Sequence, residues 1–302
     1  MTFNVQGILP AVLTPFTAEG AVDRAALRRL IARLYDAEVD GLYVCGQTGE
    51  GLAQSVAMRK TALETAIESS PAGKQVIAHV GAARLEDALE LAAHAADAGA
   101  CAVSSLPPLG QYGMEEIRSY YATLAAASRV PLVLYYFPEA APALKSEQVA
   151  ELCALPNVAG VKFTSFELHR IPDLNRAGAI VLNGRDEVIA AGLLMGASGG
   201  IGSFYNLVPE LFVELWRAQQ RGAWTHARCV QDRLNDLMSV VLRFPMIPAI
   251  KKLLEWSGMP CGSALPPRRA LTATEEAALR AGLEAVQFDP RGFLAERTGA
   301  RP

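Results

Sequence analysis

The chain has 302 residues, of which 51% are hydrophobic, and a formal net charge of -3. This length and apolar content allow one large folded unit, such as a barrel with an appendage. The small negative charge argues against nucleic acid or an anionic membrane surface as a partner, and no segment approaches the ~18 apolar residues of a membrane span.

The cysteines predict reduced thiols and a cytoplasmic protein. They form neither a CxxC pair nor a metal-ligand spacing, and no HExxH motif occurs among the four histidines, so we predict no metal site. The first residues carry neither the basic nor the long apolar segment of a signal peptide. Cys45 is interpreted as a small buried hydrophobe rather than a nucleophile.

Short β-rich runs alternate along the chain with Ala- and Leu-rich helical runs. The predicted strands are Ile8–Leu13, Gly41–Val44, Gln75–Val80, Ala102–Ser104, Pro131–Tyr136, Val158–Lys162, Ile180–Asn183 and Gly199–Gly202. The predicted helices between and after them cover 23–37, 55–69, 84–97, 115–127, 146–153, 167–176, 186–195 and 209–220. This alternation indicates a parallel sheet whose strands are joined by helices.

Eight such units predict a (β/α)8 TIM barrel, a fold of typically ~250 residues, over residues 1–222. A doubly wound sheet is the alternative, but no GxGxxG motif follows the first strand. Residues 223–302 have no strand pattern and are predicted to form a helical region packed on the barrel, with helices at 225–242, 246–257 and 273–285. The last dozen residues are polar and are expected to fray.

In a (β/α)8 barrel the active site lies at the carboxyl ends of the strands. That rule selects candidate residues without a motif search. They are the Gly46–Gly51 loop, Tyr135 and Tyr136, Lys162 and Thr164, the Gly184–Glu187 segment, and Gly199–Ser203. We expect all of them to face one barrel mouth.

Lys162 ends an apolar strand, where a charged side chain is costly without a function. Burial in the barrel would lower the amine pKa from about 10.4 and favour the neutral form. A neutral amine adds to a ketone, and the resulting iminium withdraws electrons from a neighbouring C–C bond. The alternative is a lysine whose ammonium reaches water from the rim.

The Gly46–Gly51 loop exposes backbone amides beside the Thr48 hydroxyl and can hold an anion, although a plain tight turn fits the same pattern. A phosphate is the alternative guest, with Gly199–Ser203 as its second contact. Only Arg185 supplies a basic group near these segments. The pattern therefore favours a carboxylate over a phosphate.

The remaining candidates are tyrosines and acids. One of Tyr135 and Tyr136 can shuttle a proton, and the other is expected to pack in the core. Asp186 and Glu187 fit both the start of a helix and the binding of a polyhydroxylated substrate. His79 is interpreted as an interior histidine with satisfied hydrogen bonds.

Several segments, in this order along the chain, resemble the dihydrodipicolinate synthase/N-acetylneuraminate lyase family of class I Schiff-base aldolases. They are Leu13–Phe16, Gly46–Glu50, Ile77–Gly81, Leu134-Tyr135-x-x-Pro138, Gly160–Ser165 and Gly196–Asn206. The resemblance covers nearly the whole chain. It implies a (β/α)8 barrel with a C-terminal helical region, a homotetramer, and covalent chemistry on a lysine without a separate cofactor.

The resemblance also implies roles for individual residues. Lys162 would form the Schiff base with pyruvate or another 2-keto acid, Tyr135 would shuttle protons, and Thr48 with neighbouring amides would hold the keto-acid carboxylate. The likeness is greater to the sialate lyase branch, where the residues matching Thr164, Gly184, Asp186, Glu187 and Ser203 line the sugar-acid site. In that branch the carboxylates that match Asp186 and Glu187 bind the polyol tail of the substrate.

The chain departs from the family pattern in three places. The synthase branch has an arginine shortly after the tyrosine, whereas this chain reads Pro138-Glu-Ala-Ala-Pro142. Gln47, a candidate substrate-binding residue, stands where the lyases have a serine and the synthases a threonine. The Pro107–Tyr112 segment lacks the aromatic pair that a neighbouring subunit contributes, and Tyr112 is its partial substitute.

These residues predict an enzyme that reversibly cleaves an N-acetylneuraminate-like 2-keto-3-deoxy sugar acid to pyruvate and an aldehyde. One alternative keeps the Schiff base but dehydrates a keto-deoxy sugar acid. A condensation like that of the synthase fits less well. A sensor that binds keto acids without turnover is disfavoured, since binding alone needs neither Lys162 nor Tyr135.

Overall fold

The computed structural model describes residues 4–289, and its centre is one sheet of eight parallel strands. The strands are β1 (Gly7–Pro10), β2 (Gly41–Val44), β3 (Gln75–His79), β4 (Ala102–Ser105), β5 (Leu132–Tyr136), β6 (Val158–Phe163), β7 (Ile180–Asn183) and β8 (Gly199–Gly202). From β2 to β8 each strand pairs with its neighbours in sequence, and β1 pairs with β8. A parallel bridge between Ala11 and Tyr43 brings β1 against β2. The predicted barrel is thereby confirmed, and the doubly wound alternative is wrong.

Helices surround the sheet in the predicted alternation. They are α1 (Arg24–Asp36), α2 (Val56–Glu68), α3 (Leu85–Ala98), α4 (Met114–Ala127), α5 (Ser146–Cys153), α6 (Ile171–Arg176), α7 (Ile189–Leu194), α8 (Pro209–Gln220), α9 (Trp224–Val241), α10 (Met246–Trp256) and α11 (Ala273–Ala285). Within the described residues, no helix is both long enough and apolar enough to cross a membrane.

The helix α1 shows how the sequence specifies this layer. The Asp23 carboxylate accepts a hydrogen bond from the Ala26 amide at 2.9 Å and caps the first turn. Leu27, Leu30 and Leu34 recur at helical spacing and are buried against the sheet.

The sheet separates two apolar cores, because successive side chains of a strand point to opposite faces. The outer core lies between the strands and the helices. The inner core fills the barrel with side chains that include Leu9, Ile77, Val133, Leu182 and Ile201. A group at the carboxyl end of a strand that points inward therefore lies on an apolar floor.

Two predicted helices are shorter than expected. The segment predicted at 167–176 contains a 3₁₀ turn, Leu168–Arg170, before α6, and the one predicted at 186–195 contains another, Asp186–Val188, before α7. The second difference arises because the Asp186 carboxylate accepts a hydrogen bond from the Phe204 amide at 2.9 Å and does not cap its own helix.

The C-terminal helices pack on the barrel helices. The helix α9 contacts α7, α8 and α11. Leu234, Ile250 and Leu279 from this region belong to the same outer core as the barrel helices. The proposed boundary at 222/223 falls between α8 and α9. The expected fraying of residues 291–302 lies outside the described residues.

Candidate active site

Lys162 lies inside the barrel near the carboxyl end of β6. It pairs in register with Tyr135 of β5 and Leu182 of β7, and only 4% of the residue is exposed. Its Nζ lies 4.1 Å from the ring centroid of Tyr135 and 4.4 Å from that of Tyr43. The alternative of a lysine that reaches water from the rim is therefore wrong.

Burial lowers the pKa of Lys162 to about 7, while the nearby Asp186 carboxylate acts in the opposite direction. Taking an ammonium out of water disfavours its charged form, which accounts for the larger effect. At neutral pH a substantial fraction of this side chain is a free amine. Such an amine can add to a carbonyl carbon.

Tyr43 is a neighbour of Lys162 that the sequence analysis missed. Its ring faces the Lys162 ammonium, and its hydroxyl donates a hydrogen bond to the Ser104 hydroxyl at 3.0 Å. Leu42 and Val44 point to the outer core, so Tyr43 points inward. The alternation within β2 was the signal that could have revealed it.

The two tyrosines of β5 divide as expected. Tyr135 points into the barrel, and Tyr136 points outward and stacks on Phe163 with ring centroids 5.1 Å apart. Burial raises the pKa of the Tyr135 phenol, an effect that the Thr164 hydroxyl partly offsets. Tyr135 is therefore neutral at physiological pH and can both donate and accept a proton.

Asp186 is also buried, with 6% of the residue exposed. Burial raises its pKa to about 7, although its hydrogen bond from the Phe204 amide opposes that rise. The close approach of the carboxylate to β8 requires Gly202, since a Cβ there would overlap Oδ1. Gln231 of α9 donates to the Asp186 carbonyl at 3.0 Å and fixes this segment from outside. Glu187 is half-buried.

The Gly46–Gly51 loop is joined to the end of β8. The Thr48 and Ser203 hydroxyl oxygens are 2.6 Å apart. Thr14 and Gln54 both donate side-chain hydrogen bonds to the Gly49 carbonyl, at 2.8 and 2.6 Å. Thr48 is buried, whereas Gln47 and Ser203 are half-buried. The loop is thus rigidly held while part of it faces solvent.

Thr164 and Gly184 lie side by side after β6 and β7. Thr164 is buried, and a Cβ at position 184 would overlap its hydroxyl, so the close approach requires glycine. The structure thus brings three pairs of predicted residues together. The Thr164 hydroxyl interacts with the Tyr135 phenol, and the Asp186 carboxylate acts electrostatically on Lys162. The third pair is Thr48 and Ser203, whose hydroxyl groups are in contact.

The sequence did not predict the contacts of Arg185, which form one wall of the barrel mouth. The Arg185 guanidinium lies over the rings of Phe137 and Phe166, at 5.4 and 4.5 Å, and forms an ion pair with Glu139. Phe137 in turn stacks on Tyr135, with ring centroids 6.0 Å apart. Arg185 is therefore engaged in a wall and is not the free anion-binding group that a phosphate site would need.

Two further predictions concern residues near this centre. His79 is buried and accepts a hydrogen bond from the Leu106 amide at 3.3 Å, and burial with the Arg59 guanidinium lowers its pKa well below the usual value. It is the neutral interior histidine expected. Cys45 is buried, and burial raises its pKa to about 11, which suits a packing role.

Tyr112 lies on the surface. It is 40% exposed and lines, with Pro108 and Tyr120, a cavity of about 360 Å³. Among the described residues, no group of three or more His, Cys, Asp or Glu side chains could hold a metal ion.

Comparison with known proteins agrees with this geometry. The model of the Dihydrodipicolinate synthetase family matches residues 4–286. The chain belongs to this family. It is 36% identical over 286 residues to an N-acetylneuraminate lyase of Rhizobium meliloti, covering 94% of this chain and 95% of the relative. The family predicted from the sequence motifs, and the lyase branch within it, are both confirmed.

Solved structures of other proteins superpose closely on this chain. A sialic acid aldolase of Ruminococcus gnavus has a TM-score of 0.87 at 30% identity, over 93% of this chain and 97% of that one. A Clostridium difficile protein solved in complex with mannosamine has a TM-score of 0.88 at 28% identity, over 94% of this chain and 100% of that one.

The low pKa of Lys162 predicts how imine formation depends on pH. The rate of adduct formation with pyruvate should rise between pH 6 and 8 with a midpoint of about 7, because the amine loses its proton there. In Asp186→Asn the midpoint should fall, since a charge that raises the Lys162 pKa is removed. Rapid mixing, reduction at one common pH and mass spectrometry would measure the adduct. A midpoint near 10 would contradict a buried amine.

The buried lysine should also lower stability. Because its pKa falls from about 10.4 in the unfolded chain to about 7, the cost is largest below pH 7 and declines as pH rises toward 10. Lys162→Met should therefore stabilise the fold by about 2 kcal/mol at pH 7 and by less at pH 10. Urea unfolding at both pH values measures this, with Lys60→Met at a surface ion pair as the control. A variant less stable than wild type at pH 7 would refute the argument.

Proposed function

We propose that this protein is a Schiff-base aldolase that reversibly cleaves an N-acetylneuraminate-like 2-keto-3-deoxy sugar acid to pyruvate and an aldehyde. The observation that carries the proposal is the Lys162 amine, which is buried at the barrel mouth with a pKa of about 7 and lies 4.1 Å from the Tyr135 ring. The R. meliloti relative, named N-acetylneuraminate lyase, supports the substrate class.

The chemistry begins with the neutral Lys162 amine. It attacks the C2 carbonyl of the keto acid, and loss of water gives an iminium ion. As the iminium forms, the neutral Tyr135 phenol gives its proton to the departing C2 hydroxyl, which leaves as water. The resulting phenolate accepts the proton of the C4 hydroxyl as the C3–C4 bond breaks, and the electron pair of that bond moves into the iminium to form an enamine. The aldehyde leaves, the enamine is protonated at C3, and water releases pyruvate and the free amine.

The other walls of the mouth would bind the two ends of the substrate. Thr48 and the loop amides hold the keto-acid carboxylate, with the Gln47 amide beside them and the Ser203 hydroxyl in contact with Thr48. Thr164, Gly184, Asp186, Glu187 and Ser203 line the part of the mouth for the polyol tail, where hydrogen-bond acceptors suit its hydroxyl groups. Because Asp186 is buried beside Lys162, it contacts the carbons near the bond that breaks, and the half-buried Glu187 contacts the outer hydroxyls.

We extend the proposal to assembly and compartment. For a homotetramer the support is Tyr112, whose side chain is exposed and thus accessible to a neighbouring subunit. A cytoplasmic location is supported by the five free cysteines, of which Cys229 is exposed.

A trapping experiment with a substrate panel tests the reaction. Borohydride with pyruvate should add one covalent adduct at Lys162, and N-acetylneuraminate or another keto-deoxy acid should release pyruvate in a coupled assay. Lys162→Arg should lose both, since a guanidinium stays protonated. Absence of an adduct with any 2-keto acid would refute the proposed Schiff-base mechanism. Loss of water without pyruvate release would identify a dehydratase.

Glu187 should affect only substrates that carry a polyol tail. Glu187→Gln should raise KM for such substrates by about tenfold, the loss expected for one hydrogen bond to a charged group. The rate of pyruvate trapping should remain unchanged, because the enamine-forming end of the site is intact. Steady-state kinetics with a long-tailed keto-deoxy acid and a tail-less one separate the two effects. Equal losses for both substrates would argue against a role in tail binding.

A further inference from the structure

A buried ion pair connects the Gly46–Gly51 loop to the C-terminal helices, and the proposed mechanism does not use it. Glu50 is 1% exposed and Lys251 of α10 is 4% exposed, with Nζ 2.8 Å from Oε1. The second carboxylate oxygen of Glu50 accepts a hydrogen bond from the Leu265 amide at 2.8 Å. The Arg268 guanidinium lies 3.7 Å from the same oxygen.

Lys251 is held as firmly as its partner. Its Nζ donates to the Ser263 carbonyl at 3.1 Å and lies 4.3 Å from the centroid of the Phe16 ring. Burial lowers the pKa of Lys251, and the Glu50 carboxylate opposes that shift. Both charges are thus removed from water and depend on each other.

Such a pair is a poor device for stability alone. Desolvating two charges costs about as much as their attraction returns, and well-packed apolar residues often do as well or better. What a buried pair with fixed hydrogen bonds does supply is a defined geometry.

Glu50 forms the end of the turn that carries Thr48. Its backbone has φ of +57°, in the left-handed region that a non-glycine residue adopts only when held there. The Glu50 amide donates to the Gln47 carbonyl at 3.1 Å, and the Glu50 carbonyl accepts from the Ala53 amide at 2.9 Å. A shift of the Glu50 side chain would therefore move both Gln47 and Thr48.

The remaining anchors of this loop come from the barrel. Thr14 and Gln54 hold the Gly49 carbonyl, and Ser203 contacts Thr48. Glu50 adds contacts with the C-terminal region, namely an ion pair with Lys251 of α10 and a hydrogen bond from the Leu265 amide in the segment after it. The loop is thus clamped between the barrel and the C-terminal region.

We propose that Glu50 and Lys251 are positioning residues that set the affinity of the loop for the keto-acid carboxylate. The C-terminal helical region would then determine pyruvate binding without touching pyruvate. This inference rests on the proposed function, which assigns Thr48 and the loop amides to that carboxylate.

The test compares two adjacent lysines of α10. Lys252 forms surface ion pairs with Glu255 and Glu276, at 2.9 and 3.2 Å, and does not contact Glu50. In the condensation direction, Lys251→Met should raise KM for pyruvate by about tenfold or more, since small misplacements at a binding site are costly. The KM for the aldehyde and kcat should stay within about twofold of wild type. Lys252→Met should change none of these values.

A second variant distinguishes a positioning effect from loss of the folded structure. Lys251→Met leaves a buried carboxylate unpaired, whereas Glu50→Gln with Lys251→Met removes both charges and keeps an acceptor for the Leu265 amide. We expect this double variant to fold, as judged by circular dichroism, and to show the same selective rise in the pyruvate KM.

The outcomes separate this inference from the proposed function. If pyruvate cannot be trapped on wild-type Lys162, the proposed function fails. If wild type is trapped but the folded double variant has the wild-type KM for pyruvate, the positioning role alone is overturned. Equal changes in both KM values and in kcat would also overturn it, because they would indicate a general structural effect.

Discussion

The removal of one amine from water is the constraint on which the rest of this structure depends. Lys162 stands on an apolar floor of side chains such as Ile77, Val133 and Ile201, and two tyrosine rings cover its ammonium. Eight parallel strands are a means of making such a floor, because inward side chains from alternate strands stack in layers that fill the barrel. The same strands end in loops, which supply polar groups at the rim.

This dry environment acts on acids and bases in opposite directions. Burial lowers the pKa of Lys162 to about 7 and raises that of Asp186 to about 7. Both groups therefore change protonation state near neutral pH. Tyr135, by contrast, is held neutral by burial, so its phenol can both donate and accept a hydrogen bond.

Much of this arrangement follows from local sequence patterns. The alternation of strands and helices predicted the barrel, and the rule that active sites lie at strand ends selected Tyr135 and Lys162. In the structure the strand period of two turns both side chains inward, where they pair in register. Tyr43 obeys the same period, but nothing in its neighbouring residues marks it as a partner of Lys162. The Asp186 hydrogen bond to Phe204 and the Arg185 pair with Glu139 depend on how separate loops meet, which local periodicity does not encode.

The C-terminal helices give the clearest case of function carried by long-range contacts. Lys251 of α10 contacts the Gly46–Gly51 loop through its ion pair with Glu50. Gln231 of α9 contacts the turn that carries Asp186 through a hydrogen bond to the Asp186 carbonyl. Gln231 also accepts a hydrogen bond from the Ala190 amide at 2.9 Å, so it spans the turn that carries Asp186 and Glu187. A barrel without these helices would leave the Gly46–Gly51 loop without its contacts to Lys251 and Leu265, and the turn that carries Asp186 without its contact to Gln231. Under the proposed function, the packing of α9 and α10 would thus help to set the distance between the groups that hold the two ends of a keto-deoxy acid.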